Sequence, residues 1–388
     1  MGPVGRPLTP RLVLVAGEAS GDLLGADLAR ALRQHRPDIE LAGITGPHMR
    51  NAGVESWFDI AELSVMGLTE VVRHLPRLVR LRKALRERTL RWPASALVTI
   101  DAPDFNLGLA RQVKKRGLTT IHYVSPSVWA WRAGRIPRIA AVLDLLLTLF
   151  PFEPDLYRPH GLDARFVGHP MADELAGGRQ RTQARNTLEI QDDQTLIALL
   201  PGSRDGELKR HVGLLAATAL RLRQANSQGE LVMLLASQRH ATMAREIAGP
   251  ELEQAGVRLV PGATRNGLAA SDLAIAASGT VTLEAFLLEC PLVVYYRLAP
   301  LTYHLARSLQ LVRSEFVSLP NILSERALVP ERLQAEATPE QLACDAAGWL
   351  ADPETVDHYR RLAREWRQRL ACCAGEQAAQ AILEHLDD

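Results

Sequence analysis

The sequence predicts an α/β protein with two doubly wound, Rossmann-like halves and a helical C-terminal tail. Short apolar runs alternate with helical stretches, which is typical of parallel βαβ units. The pattern breaks near Gly168-His169-Pro170 and restarts with a new apolar run at Leu196–Leu200. The last part of the chain, 353–388, is helical in pattern and offers no strand. We therefore expect domains at 1–170 and 171–352, followed by this tail.

Each predicted strand is apolar on both faces, as expected when helices cover both sides of a parallel sheet. In the first half these runs lie at 12–16, 40–44, 97–100, 120–124 and 143–147. In the second half they lie at 196–200, 231–235, 257–260, 273–276 and 292–295. The first strand of each half leads into a predicted helix, at 23–32 and at 207–224.

The composition is that of an ordinary globular chain. Its 388 residues are 47% hydrophobic and 23% charged, with a formal net charge of +1. A near-neutral chain with 5% aromatic residues argues against a nucleic-acid-binding protein. The four cysteines form no Cys-x-x-Cys pair, which is typical of reduced thiols in a cytosolic protein. We find no signal peptide and no apolar run of membrane-spanning length, so we expect a cytoplasmic protein.

Three turns follow predicted strands and open predicted helices, where free backbone N–H groups favour anions. The first, Gly17-Glu18-Ala19-Ser20-Gly21-Asp22, matches neither a dinucleotide fingerprint nor a Walker A loop. Its simpler interpretation is a tight turn with Ser20 as the helix N-cap. The second turn is Pro201-Gly202-Ser203-Arg204. Arg204 could bind phosphate oxygens in a fork, or it could pair with Asp205 or Glu207.

The third turn is Ser278-Gly279-Thr280, with Glu284 one helical turn later. Small residues at a helix start suit a diphosphate, and a carboxylate can accept two hydroxyl protons of a ribose. In open α/β sheets, ligands bind at the carboxyl edge, where all three turns are expected. Together they indicate a nucleotide-linked substrate held between two lobes.

Asp101 is the candidate general base. It follows the predicted strand 97–100 and precedes an Ala-Pro break, so a capping role does not explain it. Asp104 or Asn106 is instead expected to cap the next helix. The chain has no Asp-x-Asp triplet and no metal-ligand spacing, so no metal and no cofactor is expected. The missing Gly-x-Ser-x-Gly elbow disfavours a serine hydrolase.

The segment 70–91 concentrates positive charge. Eight Lys or Arg and two Glu give it a net charge of +6, so the remaining chain carries −5. Apolar residues recur at helical spacing before and within it, and Pro76 should kink this helix or begin its second half. A basic helix with an apolar face indicates membrane contact, whereas the alternative is a core-facing helix with a solvated basic face. The predicted membrane contacts are Val65, Met66, Leu68, Val72, Leu75 and Val79.

These motifs, in this order and over nearly the whole chain, resemble the lipid-A-disaccharide synthase family. The resemblance rests on the Gly17–Asp22 turn, the Asp101 turn, the Arg204 turn and four further segments. Those segments are Tyr123-Val124-Ser125-Pro126-Ser127-Val128-Trp129-Ala130-Trp131, Gly168-His169-Pro170, Ser278-Gly279-Thr280 and Ser318-Leu319-Pro320-Asn321.

The resemblance implies a GT-B fold and an inverting, metal-independent glycosyl transfer from UDP-2,3-diacylglucosamine to 2,3-diacylglucosamine 1-phosphate. Asp101 would be the base for the acceptor 6-hydroxyl. The UDP-sugar side would comprise Gly202, Ser203, Arg204, Ser278, Gly279, Thr280, Glu284, Asn321 and Gln334. The acceptor side would comprise Gly17, Glu18, Ser20, Gly21 and Ser125. The basic segment would contact the inner membrane, and a homodimer would exchange C-terminal elements.

Two other functions remain open from the sequence. A UDP-sugar epimerase can share the fold, but it has no use for a basic amphipathic segment. A non-catalytic membrane-surface protein that binds a nucleotide sugar would not need Asp101.

Overall fold

The chain forms two compact units, each built on a parallel sheet. The structure is a computed structural model that describes residues 9–63, 68–129, 133–225, 229–298 and 315–387, with the backbone alone described at 68–75 and 133. The first unit comprises the described parts of Met1–Asp173 and Leu370–Asp388, and the second is Glu174–Arg369. The predicted boundary at 170 lies close to this division. The predicted tail, 353–388, is shared between the units.

The described strands of the first unit form one sheet in the order β3-β2-β1-β4-β5-β6-β7, with every pair parallel. Their bounds are β1 Arg11–Ala16, β2 Glu40–Thr45, β3 Glu55–Asp59, β4 Ala96–Ile100, β5 Thr119–Tyr123, β6 Leu145–Thr148 and β7 Asp163–Phe166. The helices are α1 Ala19–His35, α2 Pro47–Asn51, α3 Leu68–Arg91, α4 Pro103–Lys114, α5 Ile136–Ala140, α6 Glu153–Tyr157 and α7 Pro170–Glu174.

The second unit has a parallel sheet in the order β10-β9-β8-β11-β12-β13. Its strands are β8 Leu196–Leu200, β9 Glu230–Leu235, β10 Val257–Pro261, β11 Leu273–Ala277, β12 Leu292–Tyr296 and β13 Glu331–Leu333. Its helices are α8 Arg181–Thr187, α9 Asp205–Gln224, α10 Gln238–Gln254, α11 Thr264–Ala270, α12 Val281–Leu287, α13 Leu319–Ser324, α14 Pro339–Ala351 and α15 Pro353–Leu370. The chain then returns to the first unit with α16 Ala374–Asp387, and short 3-10 turns lie at Ile60–Glu62, Ala133–Arg135, Arg158–His160 and Gln334–Glu336.

Strand β1 shows how the first core is divided. Leu12 and Leu14 belong to one apolar cluster, and Val13 and Val15 belong to another. Successive side chains of a strand point to opposite faces, so the sheet is buried on both sides. The cluster around Leu12 includes residues of α1 and α16, and the cluster around Val13 includes residues of α3 and α4.

The basic helix α3 runs through Pro76 as one helix. Leu81 and Leu85 are buried in the core of the first unit, so the C-terminal half is core-facing with a solvated basic face. Val79, one of the predicted membrane contacts, is 54% exposed. Val65 and Met66 lie outside the described residues. Among the described helices, none combines the length and apolar character needed to cross a bilayer.

Every predicted strand is present, with small shifts at its ends, but three strands were not predicted. These are β3, β7 and β13, whose sequences are ESWFD, DARF and ERL. Each lies at the edge of its sheet. An edge strand pairs on one side and keeps polar residues in contact with water, so it lacks the apolar run on which the prediction depended.

Candidate functional site

The carboxyl edge of the first sheet carries the predicted acceptor-side groups. Strands β1, β4, β5 and β6 are neighbours in this parallel sheet, so the turns that follow them lie at the same edge. Gly17, Asp101 and Ser125 lie in those turns, and Glu153 is the first residue of α6, the helix after β6. The edge thus holds the expected base, two expected acceptor-side residues and one carboxylate that was not expected.

Asp101 stands on a tight left-handed turn. Both Asp101 (φ 52°) and Ala102 (φ 42°) have left-handed backbone conformations, which are uncommon for non-glycine residues. The turn is held by the Asp101 amide, which donates to Tyr123 O at 2.9 Å. It is also held by the Asn106 side-chain amide, which donates to Ile100 O at 3.2 Å and to Asp101 O at 2.7 Å.

The Asp101 carboxylate is half-buried and has no hydrogen bond or ion pair with the described residues. Left-handed strain in non-glycine residues clusters at functional sites, where surrounding contacts maintain it. Ala102 occupies the N-cap position of α4 without a side-chain cap, so the expectation that Asp104 or Asn106 caps this helix is wrong. Asn106 stabilises the turn of the candidate base instead.

The turn at Gly17–Asp22 contains both packing and exposed groups. Gly17 is buried, and a Cβ atom placed there would overlap the Cβ of Ala102. Helix α1 begins at Ala19 with Glu18 at the N-cap position, so the interpretation of Ser20 as N-cap is wrong. Glu18 and Ser20 are exposed, and Gly21 is buried beside Ile100 O.

Asp22, the last residue of this motif, has a structural role. It is 1% exposed and accepts hydrogen bonds from the backbone amides of Gly46 (2.9 Å), His48 (2.9 Å) and Met49 (3.0 Å). These amides open α2, so Asp22 caps that helix from a distant part of the chain.

Ser125 lies in a buried polar cluster. Its hydroxyl is 3.0 Å from the hydroxyl of Tyr157, and it follows Val124, whose φ of 80° is a genuine outlier for a β-branched residue. Burial raises the pKa of Tyr157 to about 12. Trp129, four residues after Ser125, donates its indole N–H to Glu153 at 3.3 Å.

Glu153 is the residue that the sequence analysis missed. It is 2% exposed, and its Oε2 accepts from the backbone amides of Leu149 (3.1 Å) and Phe150 (3.0 Å). Burial raises its pKa to about 7, although these hydrogen bonds favour the ionised form. A carboxylate soon after an apolar run was the available signal, as it was for Asp101.

The second sheet's carboxyl edge carries the predicted UDP-sugar side. The turn after β8 places Gly202 at φ 111°. Glu207 folds back onto this turn, and its Oε2 accepts from the amides of Ser203 (3.0 Å) and Arg204 (3.3 Å). The Arg204 guanidinium lies 3.4 Å from Glu207 Oε1, which confirms that pairing, yet its side chain remains 83% exposed. The Arg204 guanidinium is therefore available to bind an anion, whereas the backbone amides of Ser203 and Arg204 already donate to Glu207.

The turn after β11 leaves two small residues open. Ser278 donates two hydrogen bonds of 2.9 Å, one from its backbone amide to Tyr295 O and one from its hydroxyl to Val317 O. Gly279 and Thr280 are exposed, and a Cβ at Gly279 would meet nothing within 4 Å. Glu284 accepts from Arg265 at 3.0 Å, so binding a ribose through its carboxylate would compete with an ion pair.

The last two predicted donor-side residues differ in exposure. Asn321 is 1% exposed. Its side-chain Nδ2 donates to Val329 O (3.0 Å) and to the Glu331 carboxylate (2.8 Å), and its Oδ1 accepts from Val329 N (2.8 Å). It holds the segment that leads to β13, and its contact with a ligand stays a prediction. Gln334 is half-buried with φ 53°. Among the described residues, no three His, Cys, Asp or Glu side chains are grouped so as to hold a metal ion.

The sequence and the fold match known proteins over almost their full lengths. The family model described as Lipid-A-disaccharide synthetase matches residues 12–382. The chain is 45% identical to the lipid-A-disaccharide synthase of Xanthomonas campestris pv. campestris (strain 8004), covering 98% of this chain and 88% of that protein. It is 43% identical to the same enzyme of Escherichia coli O139:H28, covering 98% of both.

Solved structures of low identity show the fold. A UDP-GlcNAc 2-epimerase from Neisseria meningitidis, bound to UDP-GlcNAc, aligns with a TM-score of 0.64 at 12% identity, covering 97% of this chain and 99% of that chain. The calicheamicin glycosyltransferase CalG4 aligns with a TM-score of 0.56 at 16% identity, covering 98% and 99%. Two Rossmann-like units with these structural neighbours define a GT-B fold. With a family match across both units, the chain belongs to the lipid-A-disaccharide synthase family of GT-B glycosyltransferases.

Proposed function

We propose that this chain transfers 2,3-diacylglucosamine from UDP to the 6-hydroxyl of 2,3-diacylglucosamine 1-phosphate. The products are a β(1→6)-linked disaccharide 1-phosphate and UDP. The observation that carries this proposal is Asp101, whose carboxylate has no hydrogen bond or ion pair with the described residues and stands on a strained turn at the carboxyl edge of a parallel sheet. Membership of the family supports the choice of substrates.

The reaction proceeds by one displacement with inversion. The acceptor oxygen forms a bond to the anomeric carbon on the face opposite UDP, and the bond from that carbon to the diphosphate oxygen breaks. Asp101 accepts the proton of the attacking hydroxyl, a contribution of about 10²–10⁴ in rate. UDP leaves with the bonding electron pair.

Arg204 is the group we assign to the diphosphate. Its guanidinium is exposed and can offer two N–H donors to phosphate oxygens, while Glu207 keeps the turn folded around it. The exposed Gly279 and Thr280 let a ligand approach the backbone. We propose that Arg204 and backbone amides balance the leaving group's charge without a metal ion. Activity that survives EDTA supports this, and a loss that added metal restores contradicts it.

The decisive experiment supplies both lipid substrates to the purified protein. Mass spectrometry should detect the disaccharide 1-phosphate, and an equal amount of UDP should form. Formation of a 2-epimer from UDP-N-acetylglucosamine alone, without disaccharide, would identify an epimerase instead. Binding of UDP without either reaction would identify a non-catalytic protein.

We further propose that the protein is peripheral on the cytoplasmic face of the inner membrane. The segment 70–91 has a net charge of +6, and a basic side chain near an anionic surface contributes about 1 kcal/mol. Replacing Leu68, Val72 and Leu75 with serine should shift the protein from vesicles to the soluble fraction. The exposed Leu350 of α14 provides a control, because L350S makes the same kind of change elsewhere. Unchanged partitioning of the folded triple variant would contradict this role.

We also propose that the protein forms a homodimer in which the two chains exchange C-terminal elements. Within one chain, Ala378 and Ile382 of α16 belong to the core of the first unit. A partner's α16 could make the same contacts on a first unit whose own helix is exchanged. Sedimentation velocity should show a dimer, and a monomer at every concentration tested would contradict the exchange.

A further inference from the structure

A cationic groove lies on the first unit, along helices α4 and α5. It has a volume of about 750 Å³, and five basic residues line it: Arg111, Lys114, Lys115, Arg135 and Arg138. Leu107, Ile139 and Val142 add an aliphatic part to the lining. A groove that combines cations with apolar surface suits a ligand with a phosphate group next to hydrocarbon.

The described residues neutralise only part of this positive charge. Lys114 pairs with Asp144 at 3.1 Å, and Arg135 pairs with Asp104 at 3.0 Å. Arg111, Lys115 and Arg138 have no ion pair or side-chain hydrogen bond with any residue that the structure describes. Three cations with no described partner along one groove raise the local concentration of anions.

The groove begins beside the candidate base. Pro103 and Asp104 belong to its lining, and they are the first two residues of α4, directly after the turn that holds Asp101. Arg111 lies about 10 Å further along α4 at the rise of an α-helix. When the 6-hydroxyl of a sugar contacts Asp101, the phosphate on C1 of the same sugar lies nearby, and the long side chains of Arg111 and Arg138 could extend to it.

The proposed acceptor needs such a group. It carries a phosphate on C1, which the ring oxygen joins to C5, the carbon that bears the CH2OH group of the attacking hydroxyl. The acceptor-side residues predicted from the sequence contain no cation. Glu18 among them is acidic. Arg204 lies in the second unit, where we assign it to the donor diphosphate.

We propose that this groove binds the phosphate of the lipid acceptor through Arg111 and Arg138. The proposal rests on the function proposed above. The aliphatic lining contacts the hydrocarbon of the same lipid. Lys115 lies about 6 Å beyond Arg111 along the helix and contributes less.

The first test separates acceptor binding from chemistry. Substrates are presented in neutral detergent micelles, so the charge of a membrane plays no part. In the double variant R111Q/R138Q, KM for the acceptor should rise about tenfold or more. Its kcat and its KM for the UDP-sugar should stay within about twofold, since neither residue contacts the reacting atoms or the donor.

Arg116 provides the matched control. It is an exposed arginine just after α4 and is not part of the groove lining. R116Q removes one positive charge from the same region and should leave the acceptor KM unchanged. An equal rise in R116Q and in the single variant R111Q would indicate a general charge effect and would overturn the proposal.

The second test removes the phosphate from the ligand instead. The same diacylglucosamine without its 1-phosphate should be a poorer acceptor for the wild-type enzyme. For R111Q/R138Q, the two acceptors should have nearly equal kcat/KM, because the partners of the phosphate are gone. If the variant discriminates between them as strongly as wild type does, the phosphate binds elsewhere and the proposal is wrong.

A vesicle assay tests the competing use of the groove. Binding to phosphatidylcholine vesicles containing phosphatidylglycerol should be similar for wild type and R111Q/R138Q. Weaker vesicle binding together with an unchanged acceptor KM would assign the groove to membrane phospholipid and overturn this proposal. Failure of the wild type to form disaccharide would instead overturn the proposed function.

Discussion

The carboxyl edges of the two sheets both carry a short turn with a left-handed residue, but the two turns present side chains of opposite charge. In the first unit, the turn after β4 presents a carboxylate with no partner among the residues that the structure describes, and its left-handed residues are Asp101 and Ala102. In the second unit, the turn after β8 presents the exposed cation Arg204, and its left-handed residue is Gly202. One edge thus offers a proton acceptor, and the other offers a partner for an anion.

The two edges also stabilise these turns differently. A neutral amide, Asn106, holds the first turn through the backbone oxygens of Ile100 and Asp101 and makes no contact with the Asp101 carboxylate. An acid, Glu207, holds the second through backbone amides and touches the cation. Because Asn106 is neutral, it holds its turn without forming an ion pair with Asp101. Glu207 is acidic and lies next to Arg204, so it helps to orient the arginine side chain.

The largest effect is expected at Asp101. D101N should lower kcat by about 10²–10⁴, because an amide cannot accept the acceptor's proton. UDP affinity and thermal stability should not change, since the carboxylate makes no hydrogen bond or ion pair with any residue in the described part of the chain. Initial rates, calorimetric titration with UDP and thermal melts measure these three quantities.

Asp155 gives the control for D101N. Its carboxylate is exposed on α6 and pairs with Arg158 at 2.7 Å. D155N makes the same chemical change in the same unit and should leave kcat unchanged. Normal turnover in D101N would exclude Asp101 as the base.

Glu153 should make the stability of the first unit depend on pH. The folded state raises its pKa from 4.5 to about 7, so the folded protein keeps a proton that the unfolded chain releases. This contribution is fully present below pH 4.5 and is lost as the pH rises through 7. The loss is roughly 3 kcal/mol.

The variant E153Q isolates this effect. Its glutamine has no proton to lose, so the stability of E153Q relative to wild type should increase between pH 4.5 and 8. Urea unfolding of both proteins across this range measures the difference, and other titrating groups such as His122 cancel in the comparison. Parallel curves would show that Glu153 is ionised in the folded state.

Gly17 and Gly279 should respond differently to the same substitution. A Cβ at Gly17 would overlap Ala102 Cβ, so G17A should lose about 2 kcal/mol of stability by overpacking. A Cβ at Gly279 meets nothing within 4 Å, so G279A should melt close to wild type. Thermal melts test both.

The double variant G17A/A102G identifies the contact responsible. Removing the Ala102 Cβ leaves the Ala102 Cα as the nearest neighbour, at an ordinary 3.5 Å. Stability should therefore return towards wild type. A double variant as unstable as G17A would place the clash elsewhere.

The central strands could be predicted because burial on both faces leaves a continuous apolar run. Leu196–Leu200 was predicted with its observed bounds, and Asp101 was placed at the sheet edge because it follows such a run. The edge strand Asp163–Phe166 alternates charged and apolar residues and gave no comparable signal.

The candidate site was less predictable because side-chain hydrogen bonds and burial decide it. The sequence shows that Asp22 and Glu207 follow glycine turns, but not that their carboxylates fold back onto backbone amides. Glu153 has its raised pKa only because the fold buries it, so its position after an apolar run did not single it out. Sequence order predicts which residues reach an edge, whereas side-chain packing decides which remain available to a ligand.

The smallest effect is expected for A102G alone, and it tests whether the first turn is strained. A left-handed alanine costs about 1–2 kcal/mol, and a glycine loses about 0.5–1 kcal/mol more in backbone entropy on folding. The variant should therefore be more stable than wild type by at most about 1.5 kcal/mol. Because the freer turn holds Asp101 less firmly, kcat should fall modestly while the acceptor KM stays constant. A stability loss above 1 kcal/mol would show that Ala102 is not strained at φ 42°, and the contrast with Gly202 would then rest on the carboxylate and the arginine alone.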